Sequence, residues 1–385
     1  MTSSPPSASP LMISFLFALD TERGHLYEYN KAVGEAARLA GWEHRAAVRA
    51  AARVAVLPPG WDLCLGSTTT WLTKGPLARL EKGWRLFLSL AAYLRRQARQ
   101  DRPIILFLEW FNFVHLLPFT LALATVLRRQ AFSIWVVHRL EAGTDWQTRA
   151  NFFLLRCLAA LVAGRLVHLS DSELVARELS RFGYRVRLLP VPHTALEEPF
   201  GTPIAAAQTN WVAWLPGQAM PEKGLDHVRR LAALTNPSAD SLLLVASQSS
   251  GLTQAPGACQ VVLLPDVLPR SEYLAWMRRA DVILLPYNPA VFRARTSGIF
   301  VEAVVAGKLP VVTAGTWMAH ELLKYDLPEL ILDWTSPTVL CDLLRLAHAD
   351  DVRAKLRRMQ SAYAQFHSVP GYADTMQRVF AETRQ

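Results

Sequence analysis

Short, nearly continuous apolar runs alternate along the chain with longer stretches in which apolar residues recur at helical spacing. In the first half the short runs are "MISFLFAL", "PIILFLEW", "FSIWVVH", "LVHLS" and "VRLLPVP". In the second half they are "NWVAWLPG", "SLLLVASQ", "CQVVLLPDV", "DVILLPY" and "LPVVTA". A strand with one face in water alternates apolar and polar residues. A run that stays apolar belongs to a strand covered on both faces, as in a parallel sheet flanked by helices. The pattern therefore predicts an α/β protein. Between the two sets lies "VPHTALEEPFGTPIAAAQTN" (Val191 to Asn210), which is polar, proline-rich and aperiodic and reads as a linker. The expected organisation is two doubly wound, Rossmann-like domains facing across a cleft: residues 11–195, a linker at 196–210, and residues 211–360. Within 361–385, "GYADTMQRVFAETRQ" predicts a terminal helix whose docking site the pattern does not reveal. Residues 1–10, "MTSSPPSASP", have almost nothing to bury and predict a disordered tail.

Composition supports this organisation and bears on partners. A chain of 385 residues, 51% hydrophobic and 19% charged, is long enough for two cores. The opening "LMISFLFALD" is too short to span a bilayer and lacks a basic leader and a small-residue cleavage site, so a cytoplasmic protein is expected. "FNFVHLLPFTLALATVL" (Phe111 to Leu127) is interrupted by Asn112, His115 and Pro118, and "FFLLRCLAALVAGRLVHL" (Phe152 to Leu169) by two arginines. Neither supplies the roughly 20 clean apolar residues of a spanning helix, and both read as buried helices. Cys64, Cys157, Cys259 and Cys341 have no paired spacing, which argues against a metal cluster or disulfide frame and fits a reducing compartment. The net charge is +9, and basic residues crowd the first half, as in "RLEKGWRLFLSLAAYLRRQARQDR" (Arg79 to Arg102). Such a helix is either a solvated basic face or a contact for an anionic surface. Charge alone is weak ground for nucleic acid, and peripheral contact with an anionic membrane is the preferred expectation.

Candidate chemistry gathers around "RTSGIFVEAVVAGKLPVV" (Arg295 to Val312), where one carboxylate, Glu302, sits in an apolar segment. The strand "DVILLPY", ending in Tyr287, a loop, a helix and the strand "LPVVTA" form a βαβ unit, and ligands in open α/β sheets bind at the carboxyl ends of strands. Ser297 and Gly298 open the helix and present backbone N–H groups at its positive end, a seat for an anion that Arg293 and Arg295 can also reach. Glu302 needs partners: the two hydroxyls of a ribose, or a nearby arginine in a structural ion pair. A second strand-loop-helix, "WVAWLPGQAMPEKGLDHVRRLAAL", offers Gly217 in its turn and Lys223 as a point charge for phosphate, although Pro-Glu-Lys-Gly is also an ordinary surface turn. In the first half, Gly24 and His25 precede a helix after the opening strand, and His138 ends the strand "FSIWVVH". A lone histidine is more often structural than catalytic, yet this one stands at a strand's carboxyl end. The dinucleotide fingerprint G-x-G-x-x-G is absent, against a nicotinamide enzyme.

Four segments, "GQAMPEKGL", "SDSELVARELSRFG" with "RLLPVP", "YLAWMRRADVILLPY" and "SGIFVEAVVAGKLPVV", resemble the GT-B glycosyltransferases, in particular the retaining group called family four. "RGHLYEYNKAVGEAARLAGWE" resembles the family's first glycine loop more loosely. The resemblance covers nearly the whole chain but is specific only from Leu263 to Ala314. It implies a hexosyltransferase-like enzyme that moves a sugar from a nucleoside diphosphate donor to an acceptor with retention of configuration, without cofactor or metal. It also implies roles: Glu302 on the donor ribose; Lys223, Ser297 and Gly298 on the phosphates; His138 beside the transferred sugar. With Arg293, Arg295, Gly217 and Tyr287 these make up the expected donor site, and His138 and Lys223 are the expected catalytic pair. Two positions depart from the family pattern. Ala294 stands where a second Glu is usual, and Gln218 where an Arg is usual. These departures leave open a non-catalytic GT-B-like sugar-binding or partner protein. A nucleotide-sugar epimerase on the same fold is a further alternative.

Overall fold

The computed structural model describes residues 9–22, 25–66, 75–127, 131–139, 146–192, 210–235, 241–254 and 258–383. These fall into two compact units, one formed by 9–192 with 369–383 and the other by 210–368. Of the linker 196–210 only Asn210 is described, where it opens a strand, and most of the tail 1–10 lies outside the described residues.

The first unit holds β1 (Leu11–Leu16), β2 (Glu43–Arg49), β3 (Trp61–Leu65), β4 (Ile104–Leu108), β5 (Phe132–His138), β6 (Leu166–Ser170) and β7 (Val186–Leu188). They form one parallel sheet in the order β3-β2-β1-β4-β5-β6-β7, so the order reverses between β1 and β4. β2 and β3 were not visible as apolar runs: "EHRAAVR" is half polar and rich in alanine, and β3 is an edge strand with only its end residues buried. Helices Pro76–Gln97, Phe113–Ala124 and Trp146–Leu161 cover one face, packing Leu86, Leu90, Phe119 and Leu158 into a single core. The other face is covered by helix His25–Leu39 and by the terminal helix Val369–Glu382, which buries Tyr372, Met376 and Val379 against Tyr29, Val33 and Trp135. That terminal helix completes the first unit's second core, although it follows the whole of the second unit in sequence. Residues 361–366 end the preceding helix, Asp350–Phe366, of the second unit.

The two apolar segments are not wholly buried, contrary to the expectation. Phe113–Ala124 leaves Leu117 and Leu121 in solvent, and Phe152–Leu169 splits into the end of one helix and strand β6, with Phe153 exposed. Among the described residues no helix is long and apolar enough to cross a membrane.

The second unit holds β8 (Asn210–Trp214), β9 (Ser241–Ser247), β10 (Gln260–Leu264), β11 (Val282–Leu285), β12 (Leu309–Thr313) and β13 (Ile331–Leu332). All are parallel, in the order β10-β9-β8-β11-β12-β13, and here the order reverses between β8 and β11. The central strands read as apolar runs because both faces are covered; Val282 to Leu285 are fully buried. β13, only two residues long, carries no readable period.

Candidate functional site

The loops that leave β8 and β11 emerge side by side at the point where the second sheet's strand order reverses, the place where open α/β sheets leave a crevice. The loop after β8 turns at Gly217 and closes in a short turn, Pro221–Lys223, that ends on Gly224 with φ of 73°. A side chain at Gly224 has no room, since its Cβ would stand 1.9 Å from the carbonyl oxygen of Pro286 just beyond β11. Asn288 N–H donates to the Glu222 carbonyl at 2.9 Å, which ties the two loops directly. This close approach of backbones brings Lys223 to the second loop.

Lys223 is half-buried, its Nζ donating to the Gln218 carbonyl at 3.4 Å. Burial pushes its pKa down, Glu222 works against this, and the nearby Arg295 guanidinium pushes it down further. Arg295 lies over the Phe292 ring at 5.1 Å. Among the described residues neither cation makes an ion pair. Beside them helix Gly298–Val305 begins. Ser297 is its N-cap, and its Oγ accepts from Phe300 N–H at 3.3 Å, so the helix start is capped rather than bare. That bond satisfies one amide and leaves those of Gly298 and Ile299 without an acceptor among the described residues. Tyr287 is buried, hydrogen-bonds with the Ser297 side chain and packs on Phe292 at 4.5 Å. Arg293 is exposed, and Ala294, between the two arginines, is buried.

Glu302 is not the unpartnered acid that its apolar surroundings suggested. Its Oε1 accepts from Arg270 Nη1 at 3.0 Å and its Oε2 from Tyr273 Oη at 2.6 Å. Both donors come from helix Arg270–Arg279, and Tyr273 is held far above the usual phenol range by burial and by the Glu302 charge. Tyr273 also lines a small pocket with Trp214, Gly217, Ser247, Asp266 and Leu268, so the surroundings of Glu302 and the Lys223 loop are continuous. The structure thus brings Gly217, Lys223, Tyr287, Arg295, Ser297, Gly298 and Glu302 to one end of the second sheet.

In the first unit, Gly24 lies outside the described residues, and His25 is placed as the first residue of its helix by the backbone. His138 ends β5 with its ring buried between Phe111 and Phe152. Its Nε2 shares a hydrogen bond with His168 Nδ1 at 2.9 Å. Burial, reinforced by His168, holds its pKa down at about 3, so the ring is neutral near pH 7. Next to it is a group that sequence reasoning missed. Arg139 donates from Nη2 to Glu109 Oε1 at 2.8 Å, and its Nη1 stands 3.7 Å from Asp171 Oδ2. Asn30 donates to Glu109 Oε2 at 2.5 Å, and Tyr29, under the guanidinium, hydrogen-bonds to Tyr372 of the terminal helix at 3.2 Å. Burial outweighs Arg139 at Glu109 and raises its pKa to about 7.

Solved structures resemble this chain over its whole length. Sucrose-phosphate synthase from Thermosynechococcus elongatus is 15% identical, with 97% of this chain and 98% of that chain covered at a TM-score of 0.59. A glycosyltransferase from Rickettsia africae is 10% identical, with 98% and 99% covered at a TM-score of 0.67. The Anabaena protein HepE, solved with UDP-glucose, is 13% identical, with 96% and 99% covered at a TM-score of 0.57. The chain has the GT-B fold. No family model and no curated protein matches it.

Within this GT-B chain the missed residues have recognisable signals in hindsight. Glu109 and Asp171 directly follow the apolar runs of β4 and β6, where an acid at a carboxyl end is unexpected unless it has a task or a partner. Arg270 and Tyr273 sit at positions one turn apart on a helix, which places both on the face turned to Glu302.

Proposed function

We propose that this chain is a retaining glycosyltransferase that moves a hexose from a nucleoside diphosphate donor to an acceptor that the site chemistry leaves unidentified. The observation that carries the reading is the pair of cations, Lys223 and Arg295, brought together without an ion pair among the described residues and beside a helix start with unused N–H groups. A lysine whose pKa is pushed down by burial, and further by a neighbouring guanidinium, is costly to keep charged unless an anion joins it, and a diphosphate supplies one. In this reading the diphosphate lies against Lys223, Arg295 and the amides of Gly298 and Ile299. The same groups stabilise the charge that grows on it as the glycosidic bond breaks. Positive charge from the protein makes a metal unnecessary. Glu302, oriented by Arg270 and Tyr273, accepts from the ribose hydroxyls, and the pocket bordered by Trp214 and Leu268 takes the base. Tyr287 fixes Ser297 and hence the helix start. His138 is neutral near pH 7, because its pKa lies near 3, and so does not act as a proton donor.

The glycosyltransferase and UDP-glucose named for the similar structures support this reading of the site. The four free thiols suit a cytoplasmic protein, and the basic helix Pro76–Gln97 suits contact with the cytoplasmic face of an anionic membrane. The test is thermal stability of the wild type and Lys223→Met against UDP, GDP, ADP and their sugar conjugates. One nucleotide class is expected to stabilise the wild type and not the variant. No shift with any nucleotide sinks the reading. The buried Ala294, in place of an acid, favours a non-catalytic sugar-binding protein as the second reading. It predicts nucleotide-sugar binding without turnover, and the products of a long incubation separate it from a transferase and from an epimerase.

A further inference from the structure

Three neighbouring helices of the first unit present one continuous apolar outer face. Helix Pro76–Gln97 packs on Phe113–Ala124, which packs on Trp146–Leu161, and the inward stripes of all three enter the same core. Their outward stripes therefore share the opposite side. On the first helix Leu80, Trp84 and Leu88 recur at helical spacing, with exposures of 70%, 61% and 49%. On the second, Leu117 and Leu121 are about half exposed, and that helix contains no charged residue at all. On the third, Phe153 is 65% exposed. A helix at a protein's surface normally turns polar residues outward, and an apolar patch spread over three helices marks a surface that something else covers.

The charges beside the patch say what covers it. The first helix carries five basic residues, Arg79, Lys82, Arg85, Arg95 and Arg96, against one acid, Glu81, which pairs with Arg85. The third carries Arg149 and Arg156, both exposed, and no acid. Leucine, tryptophan and phenylalanine framed by arginine and lysine match the boundary between acyl chains and anionic headgroups, where tryptophan also places its polar edge. A protein partner with an apolar face would need complementary acids of its own, whereas an anionic bilayer provides both features in one surface. We infer that the outer face of these three helices docks on an anionic lipid bilayer, with Leu80, Trp84, Leu117, Leu121 and Phe153 entering the interface and the flanking arginines contacting headgroups. This deepens the membrane contact of the proposed function and does not depend on the transferase chemistry.

The test is flotation of the full chain with phosphatidylcholine vesicles, with and without phosphatidylglycerol, for the wild type, Trp84→Glu, Phe153→Glu and the double variant Arg149→Gln/Arg156→Gln. The side chains changed are exposed, so the variants are expected to fold, and unaltered unfolding temperatures check this. The wild type is expected to float with the anionic vesicles. Each Glu variant is expected to lose binding at least about tenfold, from the apolar area withdrawn and the like charge added. The Arg double variant is expected to release at lower salt. Equal binding by the Glu variants, or no wild-type binding to anionic vesicles, overturns the inference. A wild-type dimer in sedimentation that Trp84→Glu dissociates, without vesicle binding, assigns the face to a second copy and overturns it as well. Nucleotide-induced stabilisation of the same variants, expected to be unchanged, keeps failure here distinct from failure of the transferase reading.

Discussion

Glu302→Gln tests the centre of the site because it removes one charge while keeping the side chain's shape. The carboxylate accepts two hydrogen bonds, from Arg270 Nη1 at 3.0 Å and Tyr273 Oη at 2.6 Å. A carboxamide has one oxygen for two donors, so if the oxygen stays with Tyr273 the amide NH2 faces the guanidinium. The lost charge-assisted bond is worth about 1.5–3 kcal/mol. Arg270 is a third exposed and can turn to solvent, which places the loss near the lower end. Removing a buried charge also relieves some desolvation. The net cost is about 2 kcal/mol, a fall of about 4–8 °C in the second unit's unfolding temperature. Scanning calorimetry of the full chain, with and without the stabilising nucleotide, reads both consequences. At a hundredfold excess over Kd, a ligand adds about 2.7 kcal/mol to the wild type. The variant is expected to lose most of that gain, because the ribose hydroxyls meet an amide instead of a carboxylate. A variant that unfolds with the wild type refutes the assignment of Arg270 and Tyr273 as its partners. A destabilised variant with an undiminished nucleotide shift shows that Glu302 serves the fold and not the ligand.

Three further outcomes follow from the geometry. Gly224→Ala sets a methyl group against the Pro286 carbonyl in a left-handed conformation, so a loss of at least about 2 kcal/mol is expected in chemical denaturation, with nucleotide binding weakened as Lys223 shifts. Met376→Ala empties a fully buried position between the terminal helix and the first sheet and is expected to cost about 2–4 kcal/mol, while the wild-type nucleotide response of the second unit is retained. Glu109, whose pKa is raised from 4.5 to about 7, favours folding most when protonated: its contribution is complete below pH 4.5 and lost as pH rises through 7. Relative to Glu109→Gln, the wild type is therefore expected to lose up to about 3 kcal/mol between those limits, read from urea midpoints across pH; a pH-independent difference contradicts the raised value.

The apolar runs were enough to specify two parallel α/β sheets, because strands covered on both faces must be apolar throughout, whatever their neighbours. They also located the loops after β8 and β11, since glycine, lysine and the Ser-Gly helix start are local features of the chain. The strands β2 and β3 escaped because one is half polar and the other is an edge strand buried only at its ends, and β13 because two residues carry no period. The docking of the terminal helix was equally hidden. Tyr372 and Met376 show an apolar face in sequence, but only the folded first sheet supplies the surface they cover. Glu302 shows the same division most clearly. Its isolation in an apolar segment was plain from the sequence, whereas its partners, Arg270 and Tyr273, belong to a different helix that only the fold brings to it. The apolar face across three helices likewise exists only after packing decides which side of each helix turns inward. Local chemistry was written in the order of the residues. Which groups meet, and which surfaces stay open, was decided by contacts between segments far apart in the chain, whose energies no single segment carries.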